Sequence, residues 1–125
     1  MNNKTKGQIE AEISIAFTQF MKEQLGRGPK EARTFIIQDI LLIRLMDVLT
    51  PAEILLTKEI DGAQLIKLSR MRLIESTRHL IEEMVHKITK VQVTTVHTDI
   101  STRTGERIFV LVLDTNLEER LNLQI

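Results

Sequence analysis

The chain has 125 residues, enough for one domain with one core, and its 42% hydrophobic content is that of an ordinary globular protein. Lys+Arg and Asp+Glu balance at 17 each, and aromatics are limited to four Phe, which disfavours nucleic-acid binding by a basic surface or a base-stacking platform. Cysteine is absent, which excludes disulfides, thiol chemistry and Cys-type zinc sites and is compatible with a reducing cytosol.

The start of the chain, MNNKTKGQIEAEIS, has basic residues but no apolar core of signal-peptide type. From there Ile9, Ile13, Ala16, Phe17, Phe20 and Met21 recur at helical spacing, with Glu10, Glu12, Lys22 and Glu23 mostly opposite, and predict an amphipathic helix over about 7–25. Gly26 ends it, and Pro29 cannot continue it.

Residues 32–38 and 40–47 are β-branched or apolar runs of strand length, joined by a tight turn at Gln38-Asp39, and read as a hairpin. Both faces of the second strand are largely apolar: Leu41, Ile43 and Leu45 on one, Ile40, Leu42, Arg44 and Met46 on the other. Both are therefore expected to be covered. Arg44 in that run calls for an ion pair, or for an edge position from which it reaches water.

Thr50-Pro51-Ala52-Glu53 is a helix start: Thr50 caps, Pro51 fits the first helical position and Glu53 reaches back to the cap. Asp61-Gly62 breaks or bends that helix. A long helix follows from about 63 to 89, with Ile66, Leu73, Leu80 and Met84 as its stripe and Ile81, Val85 and Ile88 beside it. At 1.5 Å per residue it would be roughly 40 Å long, more than a domain of this size spans, which suggests a homodimer.

Residues 91–100 and 107–114 alternate in strand fashion around a Thr102-Arg103-Thr104-Gly105 turn and form a second hairpin, and residues 115–125 are a short tail. The expectation is a single α+β domain over 1–125, with its core at about 7–114. It is a two-layer α/β sandwich of order α-β-β-α-α-β-β whose antiparallel sheet comes from two β-hairpins. Whether the hairpins join into one sheet is open at this stage. The longest apolar stretch, Ile40 to Met46, is interrupted by Arg44 and falls far short of the roughly 20 residues that span a bilayer. The chain is thus expected to be soluble and cytoplasmic.

Three places invite a functional reading. In Gly26-Arg27-Gly28-Pro29-Lys30 with Arg33, backbone N–H groups and cations can hold an anion or a partner. The Walker spacing is absent, however, and the loop follows a helix and precedes a strand, so the plain turn reading is favoured. His97 and Asp99 share a strand face with Thr95 and Ser101 and could do acid–base work. No nucleophile is placed by a motif, so a contact role for His97, Asp99, Thr102 and Arg103 is preferred to catalysis. On the long helix, His79, Glu83 and His86 share one face, but their spacing is no known metal motif, and charges at i, i+4 are what a solvated face carries. No catalytic residue, metal or cofactor is assigned.

Four stretches carry a family resemblance: GRGPKEARTFI, ILLIRLMDVLTPAE, the helix ending in HLIEEMVHKIT, and VHTDISTRTGERIFVLVLD. Together, from about Gly7 to Asp114, they resemble the MpsC-like family of bacterial proteins. The resemblance implies association with a sodium-linked, membrane-potential-generating system whose other components are linked to inorganic-carbon uptake. It implies neither an established reaction nor catalytic residues. The expected role is a non-enzymatic cytosolic accessory or regulatory subunit of a membrane ion or inorganic-carbon transport system, peripheral to the inner membrane through a transporter subunit. The alternatives are a small-molecule or anion-binding module using Gly26 to Lys30, and an enzyme using His97 and Asp99.

Overall fold

A computed structural model describes residues 4–123. Eight elements follow one another: α1 (Lys6–Leu25), β1 (Glu31–Ile37), β2 (Ile40–Met46), α2 (Pro51–Leu56), α3 (Gly62–Thr89), β3 (Val93–Ile100), β4 (Arg107–Leu113) and α4 (Leu117–Asn122). The four strands form one antiparallel sheet of order β1-β2-β4-β3, so the two hairpins are joined by pairing of β2 with β4. This is the expected α+β fold, with a short eighth element, α4, in what was read as the tail.

Local chemistry sets the element ends. Thr5 and Gln8 form a capping box at the start of α1, and Gly26 closes it with φ 81°, a conformation that costs glycine little. Thr50 and Glu53 form a second box, with Pro51 at the first position of α2. Between α2 and α3 the chain turns so tightly that a Cβ on Gly62 would stand 1.8 Å from the Leu56 carbonyl oxygen.

The helices lie on one face of the sheet. Ile9, Ile13, Phe17, Phe20 and Met21 of α1, and Ile66, Ile74, Ile81 and Val85 of α3, meet Ile36, Leu41, Ile43, Leu45, Phe109 and Leu111 from the strands. Phe17 packs on Phe109 with ring centroids 5.1 Å apart. In β3 a bulge between Val93 and Thr95 adds a residue to the strand; beyond it Val96 and Thr98 fall on the helix side and Thr95, His97 and Asp99 on the other. Edge strand β1 is blunted by carboxylates: Glu10 accepts from the Ile36 N–H, and Glu118 accepts from the Gln38 N–H and from Lys6.

Two details differ from the sequence-based expectation. The buried stripe of α3 is Ile66, Arg70, Ile74, Ile81 and Val85, not one containing Leu73, which is exposed. A charged residue occupies the i+4 step between Ile66 and Ile74, so an apolar-only pattern slides to the wrong neighbour. And β2 is apolar on both faces as read, yet within the chain only one is covered. Phe35 and Ile37 of β1 stay 43% and 47% exposed on the other.

Candidate functional site

The residues singled out in the loops and strands lie at the loop end of the sheet and on its uncovered face, and a groove lined by Asp99, Thr102 and Arg103 joins the two. Arg27, Gly28 and Lys30 sit at the end of the sheet where the α1–β1 loop, the β2–α2 loop and the β3–β4 turn meet. There the Arg27 guanidinium grips Asp47, with Nη2 2.9 Å from Oδ2. Lys30 donates its backbone N–H to Met46. Val48 donates to the Gly105 carbonyl, which ties the β3–β4 turn to the same end. Thr102 and Arg103 line a groove there with Asp47, Ile54 and Thr57. The loop is thus a helix stop braced by its own arginine, and Lys30 and Arg103 remain exposed beside it.

Arg33 and His97 lie instead on the uncovered sheet face; Asp99 shares that face by register, but at the β3 edge its carboxyl reaches Lys67 of α3 and borders the cavity on the helix side. The register sets this face out in rows. Ile37, Ile40, Val112 and Thr95 form the first; Phe35, Leu42, Val110 and His97 the second; Arg33, Arg44, Ile108 and Asp99 the third. The first two rows are almost wholly apolar. The third runs from cationic at the β1 edge to anionic at the β3 edge. Arg33 pairs locally with Glu31 at 2.6 Å, and Arg44 with Glu106 at 2.6 Å, which supplies the ion pair its position called for. The Asp99 carboxyl accepts from the Ile100 backbone N–H, which, with Lys67 3.4 Å away, holds it below the usual carboxylate range. Among the described residues no hydrogen bond joins His97 to Asp99.

On α3, His86 turns its Nδ1 to the Val91 carbonyl at 3.2 Å and so serves the helix end. Among the described residues no group of three His, Cys, Asp or Glu side chains converges as metal ligands.

A third constellation escaped the sequence reading. Arg70 (3% exposed) and Arg107 (2% exposed) are buried between α3 and the inner face of the sheet. Arg70 makes a fork with Glu53, Nε to Oε2 at 2.8 Å and Nη2 to Oε1 at 2.6 Å, and also donates to the Val48 carbonyl. Burial alone would raise the Glu53 carboxyl, but Arg70 and the Thr50 backbone N–H hold it below its ordinary value. Arg107 donates Nε to Thr98 at 3.0 Å and lies 5.0 Å over the Phe109 ring. Burial first, and then the charge of Arg70, push Arg107 down to about 10, so it stays cationic at neutral pH.

No helix among the described residues is long and apolar enough to cross a membrane. No solved structure matches the chain. A protein of Bacillus subtilis (strain 168), described as "Uncharacterized protein YbcI", is 42% identical over 118 residues, covering 94% of this chain and 95% of its own length. The family described as Na+-translocating membrane potential-generating system (MpsC) matches residues 5–115. With nearly its whole length matched, and the GRGPK, LTPAE and HTDIS segments inside that span, the chain belongs to the MpsC family.

Proposed function

We propose that this chain is a non-enzymatic accessory subunit of a membrane ion-transport system of the kind its family is named for, and that it works as a homodimer from the cytoplasmic side. The observation that carries the reading is the uncovered sheet face. Four strands about 4.8 Å apart and some seven residues long present a surface of several hundred Å², the scale at which exposed apolar area marks an interface.

The face is complementary to itself. A two-fold axis parallel to the strands, between β2 and β4, lays β1 of one copy over β3 of the other and each row over itself. Arg33 then meets Asp99, Phe35 meets His97, Leu42 meets Val110 and Ile40 meets Val112. Arg44, paired with Glu106, then falls over Ile108, whereas a two-fold axis across the strands would lay both Arg33 and Arg44 over the apolar first row. Sheets stacked this way cross at about −30° because of their twist, which the three rows can follow.

Dimerisation of this kind leaves the loop end free for the membrane subunit. There Arg103 lines a groove with Ile54 of α2, the α1–β1 loop carries the basic Arg27 and Lys30, and Leu55 of α2 and Ile60 of the following turn are exposed, Ile60 at 92%. Affinity recovery of the tagged chain from native membranes tests this. A polytopic transporter subunit should co-purify and be lost when Lys30 and Arg103 are both changed to Glu. Recovery without any transporter subunit contradicts the reading.

A further inference from the structure

We infer that the cavity between α3 and the β3–β4 hairpin is a binding site for a small oxyanion of carboxylate or phosphate type, held between the guanidinium groups of Arg70 and Arg107. The cavity measures about 70 Å³. At about 10–15 Å³ for a water, that is room for a few waters or for one small oxyanion.

Its charge is cationic. Lys67, Arg70, Arg78 and Arg107 line it against only two carboxylates, Glu75 and Asp99. Neither carboxylate forms an ion pair with a buried arginine among the described residues, although the Asp99 charge partly offsets that of Arg107. Asp99 is taken up with Lys67 and the Ile100 N–H, and Arg70 has its counter-ion outside the cavity lining, in Glu53. Arg107 forms no ion pair among the described residues.

Two donors are left over. Nη1 of Arg70 and Nη1 of Arg107 are both buried and make no hydrogen bond among the described residues. Buried cationic donors without acceptors are costly, and natural interiors rarely keep them without a purpose. Arg70 has spent its Nε–Nη2 edge on Glu53 and Arg107 its Nε on Thr98, so each guanidinium keeps an unpaired Nη1, and two such cationic donors at one cavity can share the oxygens of a carboxylate or phosphate group. Arg107 is also pre-positioned: Thr98 fixes its Nε and the Phe109 ring supports its plane, so little side-chain freedom is lost on binding.

Thermal unfolding of the full chain at constant ionic strength, titrated with acetate, with inorganic phosphate and with chloride as control, tests this. The wild type should show a saturable rise in Tm with acetate or phosphate and none with chloride, and the anion that responds identifies a planar or a tetrahedral ligand. Arg107→Met should remain folded, because an apolar side chain replaces a buried charge, and should lose the response. Arg107→Lys keeps the charge without the fork and should weaken binding at least tenfold, which provides a second variant should Arg107→Met fail to fold. A wild type that responds no more to either oxyanion than to chloride overturns the inference, as does a folded Arg107→Met or Arg107→Lys chain that binds as the wild type does.

Discussion

Arg70 of α3 and Glu53 of α2 close a two-pronged ion pair, 2.8 and 2.6 Å, beneath the turn that joins the two helices. Glu53 also completes the capping box with Thr50, so one carboxylate fixes a helix start and neutralises a buried cation. Glu53→Ala should cost about 3–5 kcal/mol, the loss expected when one member of a buried pair is removed and the other stays. Urea unfolding measures it. In a double-mutant cycle, adding Arg70→Met should recover much of the loss, and strict additivity would show that the pair is not coupled.

The same pair gives the fold an acid limit. The Glu53 carboxyl is held below its ordinary 4.5 in the folded chain, so it contributes stability that is fully present above that pH and disappears as pH falls through the lower folded value. Stability followed by urea unfolding should fall steeply below about pH 4.5 in the wild type. The fall should be shallower in Glu53→Gln, which has no charge to lose at that position. Parallel curves would remove Glu53 from the account.

Gly62 is required for the approach of α3 to α2 and not for a left-handed backbone. A Cβ there would lie 1.8 Å from the Leu56 carbonyl oxygen and 2.8 Å from its carbon, both backbone atoms that cannot swing aside. Gly62→Ala should therefore destabilise by about 2 kcal/mol or more despite alanine's better helix propensity. A variant as stable as the wild type, measured by urea midpoint, would mean the α2–α3 junction relaxes freely.

Dimerisation through the open sheet face makes a charge-swap prediction. Arg33→Asp should weaken association about tenfold by setting like charges against Asp99. Adding Asp99→Arg in the same chain should restore it. Dissociation constants from sedimentation equilibrium give the comparison, and a double variant no better than the single one would move the contact elsewhere.

Much of the fold was legible because its signals are local. Thr50-Pro51-Ala52-Glu53 announces a helix by capping chemistry alone, and the two strand pairs announce themselves by short polar turns between β-branched runs. The pairing of β2 with β4 was not legible, since it joins segments more than sixty residues apart and no turn records it. Nor were the two buried arginines. An arginine in an amphipathic helix ordinarily marks the solvated side, so the stripe reading passed over Arg70 and took Leu73, which is exposed. The usable signals were positional: Arg70 stands midway between Ile66 and Ile74 at i+4, and Arg107 falls on the same side of its strand as Phe109, Leu111 and Leu113. The uncovered face was visible as apolar character on both sides of β2, but that one side stays open within the chain was not.

The mass in solution, by light scattering after size exclusion, tests the central claim most directly when the wild type is run beside Val110→Arg, which places a charge at the middle of the open face. The account predicts about 29 kDa for the wild type, twice the 14.4 kDa chain, and 14.4 kDa for a folded Val110→Arg variant. A wild type that stays at 14.4 kDa at micromolar concentration, or a variant that remains a dimer, would contradict it.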